Sequence, residues 1–270
     1  MSWRPPRGAL ADLVAAARED FRRRRAARPG VPGEAARLPR RPPRFHRALQ
    51  PSGSCPLICE VKRASPSSGN IAADVDAPEL ARAYARGGAR CVSVLTEERR
   101  FGGSLDDLVR VRAAVDVPVL RKDFVVDPYM VEEAALAGAD AVLLIAAAVE
   151  PALLAELSAA ARSLGLDVLL EVVQADELDV VQALDAGLVG INARDLESLE
   201  MDPGRFARLA PLLRAPGRTL VAESGIRSAA ELTALVRAGA GAALVGESLV
   251  RAADPEAAVH ALAEVPCPSA

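Results

Sequence analysis

The chain has 270 residues, 51% of them hydrophobic and 26% charged, with a formal net charge of −3. That is enough apolar material for one large core, and no run reaches the roughly 18 uncharged residues that a spanning helix needs. The N-terminus carries arginines but no apolar stretch of the signal-peptide kind, so the expectation is a soluble, cytoplasmic protein with no membrane partner.

Charge is unevenly spread. Residues 1–56 hold 13 arginines against Asp12, Glu19, Asp20 and Glu34, a balance of +9 that leaves −12 for the rest. A basic segment can serve nucleic acid. Here no aromatic platform accompanies it, so nucleic acid is not expected as a partner. The plainer reading is a solvated, arginine-rich helix around Arg22–Arg25. Leu10–Arg28 has a helical pattern, residues 29–43 are rich in proline and arginine, and a short apolar turn follows at Phe45–Leu49. Residues 1–56 are expected to be a helical extension of the domain that follows, a lid or a plug for one of its ends.

From residue 57 onward, short apolar runs alternate with longer amphipathic stretches. The predicted strands are Leu57–Lys62, Cys91–Leu95, Val117–Arg121, Ala141–Ile145, Val168–Val172, Val189–Asn192, Leu220–Glu223 and Ala243–Gly246. Most are continuously apolar, as suits parallel strands buried on both faces. The predicted helices are Pro78–Arg86, Leu105–Ala114, Pro128–Ala137, Pro151–Ser163, Ala175–Ala186, Pro203–Leu213, Ala229–Ala238 and Pro255–Ala263. Proline opens several of them. Gly88, Gly138, Gly165, Gly187 and Gly239 each close one before the next strand. Eight strands alternating with eight helices indicate an α/β fold, a (β/α)8 barrel over residues 57–265, with a doubly wound open sheet as the runner-up.

Lysine is scarce. Of 33 basic residues, 31 are arginine, and only Lys62 and Lys122 are lysine. A lysine can be tuned to release its proton and an arginine cannot, so both lysines are acid–base candidates. Four cysteines (Cys55, Cys59, Cys91, Cys267) show no CxxC spacing, and His46 and His260 lie apart from them, so no metal site is expected.

Barrel enzymes work at the C-terminal ends of their strands. Strand 1 ends Glu60-Val61-Lys62, and residues two apart on a strand share a face. Strand 3 runs into Lys122, strand 5 carries Glu171, strand 6 ends in Asn192 and strand 7 ends in Glu223. Three carboxylates and two ammonium groups on one mouth carry a desolvation cost of several kcal/mol, and such clusters are kept where perturbed pKa values are useful. Ser65 to Gly69 after strand 1, Ser224-Gly225 after strand 7 and Gly246-Glu247 after strand 8 stand where barrels commonly bind phosphate. Ordinary turn chemistry is the competing explanation for each loop.

Several segments together resemble the indole-3-glycerol-phosphate synthase family. They are Glu60-Val-Lys-Arg-Ala-Ser-Pro-Ser-Ser-Gly69, Leu95-Thr-Glu97, Phe101-Gly-Gly-Ser104, Leu120-Arg-Lys-Asp-Phe124, Leu170-Glu-Val172, Gly190-Ile-Asn-Ala-Arg-Asp-Leu196, Ala222-Glu-Ser-Gly-Ile226 and Val245-Gly-Glu-Ser-Leu249. The resemblance implies a carboxy-lyase of tryptophan biosynthesis with no cofactor and no metal. Its small-molecule substrate would be phosphorylated: 1-(2-carboxyphenylamino)-1-deoxyribulose 5-phosphate, which closes a ring and loses CO2 and water. It implies that Lys122 is the general acid of ring closure, that Glu171 and Asn192 serve the reacting centre, and that Lys62 with Glu60 serves dehydration. Glu223 would hold a hydroxyl or tune a lysine. Ser65, Ser224, Gly225, Gly246 and Glu247 would hold phosphate, and Phe101, Phe124, Arg194 and Leu196 would wall the aromatic pocket. Two positions depart from the family pattern: Ala193 follows Asn192, where little effect is expected, and Arg100 stands before Phe101, where an added cation could alter closure. The alternatives are another phosphate-binding barrel such as a phosphoribosylanthranilate isomerase, or a barrel that has lost catalysis. Oligomeric state stays open, a monomer included.

Overall fold

A computed structural model describes residues 3–39, 41–50 and 52–267. Eight parallel strands close into a barrel: β1 (Leu57–Val61), β2 (Cys91–Leu95), β3 (Val119–Lys122), β4 (Ala141–Ile145), β5 (Asp167–Val172), β6 (Leu188–Asn192), β7 (Thr219–Glu223) and β8 (Ala242–Val245). Each strand pairs with its neighbours in sequence, and β8 returns to β1 with Val245 opposite Cys59. An open sheet is thereby excluded. Nearly every strand residue is buried, because the barrel lumen covers one face and the helices cover the other.

The extension contributes α1 (Gly8–Ala27), α2 (Val31–Ala35) and α3 (Phe45–Ala48). Around the barrel run α4 (Ala77–Arg86), α5 (Leu105–Ala114), α6 (Pro128–Leu136), α7 (Pro151–Ser163), α8 (Leu178–Ala183), α9 (Arg205–Leu213), α10 (Ala229–Ala238), α11 (Glu247–Val250) and α12 (Pro255–Ala263). Several helices begin on a side-chain cap. Asp76, Ser104, Asp127, Ser228 and Asp254 each accept a backbone N–H from the first turn, satisfying donors the helix itself leaves free.

The predicted elements differ from the observed ones in a few places. Strand 3 starts two residues later and includes Lys122, because its ladder pairs Leu95 with Lys122. The predicted helix Ala175–Ala186 shrinks to α8 (Leu178–Ala183) behind a short 3-10 turn at Ala175–Glu177. Asp185 (φ +45), not Gly187, is the left-handed residue that ends it. Helix α11 was not predicted, since four residues carry no periodic signal.

The extension covers both ends of the barrel. Helix α1 lies at the C-terminal mouth, where Leu13 lines the cavity and Gly8 packs on Glu197. At the other end Phe45 is fully buried, its N–H donating to Asp167, and His46 Nε2 lies 3.0 Å from Thr219 Oγ1. Arg22, Arg23 and Arg25 are exposed, as expected of a solvated arginine helix, and Arg24 is the exception. Arg24 makes a two-pronged bond to the buried Glu133, at 2.8 and 3.0 Å. Arg25 reaches Asp127 and Arg23 reaches Glu98, while Arg99 answers from the barrel side to Glu19 and Asp20. The positive face of α1 thus meets carboxylates of α6 and of the neighbouring loops. No helix among the described residues is long and apolar enough to cross a membrane.

Candidate active site

All fifteen residues singled out in the sequence line one open cavity of about 930 Å³ at the C-terminal mouth. That falls within the several hundred Å³ typical of a small-molecule site.

Strand register explains the convergence. Ladder partners point the same way, so Leu95 and Lys122 face inward together, as do Ile145 with Glu171 and Asn192 with Glu223. Alternation sends Arg121 outward into the helix layer. There it is wholly buried, bonded to Asp123, Thr96, the carbonyl of Met130 and Glu133. Lys122 therefore stands on a strand end pinned from behind.

Lys122 Nζ lies 3.4 Å from Glu171 Oε2 and 3.8 Å from Glu223 Oε2. Burial alone would favour its neutral form. Glu171, Glu223 and Glu60 outweigh that and hold its pKa above the usual lysine value, so it is an ammonium. The other Glu171 oxygen accepts from Asn192 Nδ2 at 3.0 Å. Asn192 Oδ1 accepts from Ser224 Oγ at 2.7 Å and from the Arg194 N–H at 2.9 Å, which fixes the amide's orientation. Ser224 holds a left-handed backbone (φ +67), with Gly225 next in the same region. Non-glycine residues take that conformation only where surroundings enforce it.

Glu223 is 2% exposed, and neither of its oxygens has a hydrogen-bond partner among the described residues. Burial and the nearby Glu171 carboxylate push its pKa well above the usual carboxylate range, against the pull of Lys122. Room for it comes from Gly190, where a Cβ would lie 1.9 Å from Glu223 Oε1. On β1, Glu60 Oε1 holds Lys62 Nζ at 2.9 Å. Gly246 gives Glu60 its space, since a Cβ there would come within 2.6 Å of the same oxygen.

The candidate phosphate loops lie together. Ser65 Oγ accepts the Ser68 N–H at 3.1 Å, and Ser68 Oγ donates to Glu247 Oε2 at 2.9 Å. Glu247 Oε1 takes Arg251 Nε at 3.0 Å. Burial would raise the Glu247 pKa, but Ser68 and Arg251 outweigh it and hold it low. The Glu247 carboxylate is thus engaged with its own neighbours. At the opposite wall Phe101 and Phe124 stand with centroids 6.1 Å apart, tilted by 41°.

The sequence did not mark Leu13, Met201, Ile226 or Arg227, which also line the cavity. Leu13 could have been suspected from the apolar stripe of α1; the others sit in loops without a pattern. Arg100 is exposed and does not line the cavity, so the expected effect of its cation on closure is not supported. Cys59 is fully buried, and alternation turns it away from Glu60 toward the helices.

The fold and the mouth define a class: a (β/α)8 enzyme with two ammonium groups among three carboxylates and no metal-type cluster of His, Cys, Asp and Glu among the described residues. The family model for "Indole-3-glycerol phosphate synthase" matches residues 10–262. An indole-3-glycerol phosphate synthase of Mycolicibacterium vanbaalenii is 54% identical over 213 residues, 78% of this chain and 77% of that protein. One from Nocardioides sp. is 49% identical over 256 residues, 95% of this chain and 98% of that protein. A crystal structure of 3-hexulose-6-phosphate synthase superposes with a TM-score of 0.64 at 23% identity, over 78% of this chain and 99% of that one, a likeness of fold. The chain belongs to the indole-3-glycerol phosphate synthase family, carboxy-lyases of tryptophan biosynthesis.

Proposed function

We propose that the barrel mouth carries out ring closure in three stages, with the two lysines dividing the proton transfers. The reading rests on one observation: Lys122 is held as an ammonium between Glu171 and Glu223 while a second ammonium, Lys62, is held by Glu60. The substrate is 1-(2-carboxyphenylamino)-1-deoxyribulose 5-phosphate. Its phosphate would sit among Ser65, Ser224, Gly225, Gly246 and the amide of Glu247, and its aryl ring between Phe101, Phe124, Leu196 and Arg194. This anchors both ends and leaves the ketose carbonyl near the lysines.

In the first stage the ring carbon bearing the carboxylate attacks the ketose carbonyl carbon, and Lys122 gives a proton to the carbonyl oxygen. The ring is then cationic at the iminium, where Glu171, oriented by Asn192, supplies the opposing charge. Next the carboxyl carbon leaves as CO2, and its bonding electrons restore the aromatic ring. Finally the new hydroxyl leaves as water with a proton from Lys62, Glu60 takes the proton that comes off the adjacent carbon to complete the indole, and solvent restores the proton that Lys122 gave. Glu60, already bonded to Lys62, is placed to return a proton to it. Glu223 is suited to accept a substrate hydroxyl or share a proton, since its carboxylate has no other donor.

We place the protein in the cytoplasm, in line with four free, buried cysteines. The test of function is turnover: the purified full chain should form indole-3-glycerol phosphate and CO2 from the synthetic substrate, and Lys122→Met should not. A folded wild-type protein without turnover on authentic substrate would end the reading.

A further inference from the structure

Glu97 opens the loop between β2 and α5, and none of the chemistry above uses it. It is 4% exposed. Burying a carboxylate is costly unless donors replace its water. Its donors are backbone amides: Oε2 accepts from Arg100 at 2.7 Å and Phe101 at 3.0 Å, and Oε1 accepts from Arg99 at 3.1 Å. The guanidinium of Arg99 turns away to Glu19 and Asp20. The Glu97 carbonyl takes the Gly103 N–H at 2.9 Å, closing the loop on itself. Gly103 also presses on the strand end, where a Cβ would lie 2.2 Å from the Leu95 carbonyl oxygen.

The residue at the centre of this loop is Phe101. Its N–H is held by Glu97, and its carbonyl accepts the Ala64 N–H at 3.1 Å from the β1 loop, two residues beyond Lys62. Arg63 adds a bond to the Gly102 carbonyl at 3.2 Å. Phe101 has its backbone fixed on both sides and its ring against that of Phe124 on the same wall.

We propose that Glu97 is a positioning residue: its buried carboxylate shapes residues 99–101 so that the Phe101 ring is set against the aryl end of the substrate. This rests on the reading of Phe101 and Phe124 as walls of the aryl pocket. It predicts a separation between the two ends of the substrate. In Glu97→Ala the affinity for the aryl end falls, while the phosphate end is untouched.

The probes are anthranilate and inorganic phosphate, each measured as an inhibitor of the full-length enzyme with Glu97→Ala, Glu97→Gln and Phe101→Leu. In Glu97→Ala the anthranilate Ki and the substrate KM rise roughly tenfold or more, as expected for a wall displaced by about an ångström. The phosphate Ki stays within about twofold. Glu97→Gln keeps one oxygen for Arg100 and Phe101 but turns an NH2 toward the Arg99 N–H. Its anthranilate Ki rises roughly threefold, the effect of one lost bond, and it carries the test should Glu97→Ala fail to fold. Equal rises in both Ki values, or no rise in the anthranilate Ki, overturn the proposal. Phe101→Leu leaves Glu97 and its amides in place. If it does not change the anthranilate Ki, the aryl-pocket reading falls and takes the proposal with it. A rise in Phe101→Leu with none in the Glu97 variants overturns the proposal alone.

Discussion

Replacing Gly190 by alanine should cost at least as much activity as stability. Gly190 lies on β6, in register with Glu171 on one side and Val221 on the other. A Cβ there would stand 1.9 Å from Glu223 Oε1 and 3.0 Å from its Cδ. Glu223 is 2% exposed, so its carboxylate has no solvent to swing into and must shift within the cavity. Overpacking of this kind costs about 1–3 kcal/mol. Removing a glycine from a strand interior returns about 0.5–1 kcal/mol. The net loss is then about 0–2.5 kcal/mol, or about 2–4 °C in Tm for each kcal/mol in a chain of this size. Moving a reacting group by about 1 Å costs roughly 100-fold in rate, equivalent to about 2.7 kcal/mol in the barrel's activation free energy. The assay is kcat at saturating substrate beside urea denaturation at the same temperature, for Gly190→Ala in the wild-type and in a Glu223→Asp background. Aspartate is shorter by one methylene, so the same alanine should cost much less there. A Gly190→Ala enzyme with kcat within twofold of wild type, or with the same penalty in both backgrounds, would refute the steric account.

Lys122→Met and Lys62→Met should each lower kcat by about 10²–10⁴, the range for losing a general acid, while the Ki of inorganic phosphate holds; a parallel loss of phosphate affinity would show general damage to the mouth. Arg121→Met strips the cation from Asp123, which sits beside Lys122 in sequence, and should cost about 3–5 kcal/mol in urea denaturation. A loss below about 1 kcal/mol would mean that Asp123 is satisfied by Thr96 and the Phe124 N–H alone. All four cysteines are buried, and burial pushes the Cys55 thiol up to about 12, so little thiolate exists at pH 8. A thiol-specific disulfide reagent should label none of them in the native protein and all four in denaturant.

Much of the site was legible because a barrel strand has only two faces. Once Glu60 and Lys62 were assigned to one strand, period two put them on the same side, and the 2.9 Å ion pair follows from that parity. Lys122, Glu171, Asn192 and Glu223 reach one mouth for the same reason, since each is the last or next-to-last residue of a parallel strand. The extension was less legible. The apolar stripe Leu10, Leu13, Val14, Ala17 and Phe21 says that a face of α1 is covered, not what covers it, and Phe45 plugs the far end from the same segment.

Glu97 was illegible for a stricter reason. Its partners are the amides of Arg99, Arg100 and Phe101, and an amide is present at every residue but proline, so no pattern of side chains announces it. Gly190 is the converse case: a glycine within an apolar strand signals a close approach, but the atom that approaches it belongs to Glu223, 33 positions away. A residue that touches substrate is visible as a charge in the wrong place. A residue that sets such a charge in position is visible only when the chain has closed around it. The variants at Glu97 and Gly190 therefore probe the part of this active site that composition and periodicity leave unmarked, and their effects should appear in how well the Phe101 ring and the Glu223 carboxylate are placed rather than in whether the barrel folds.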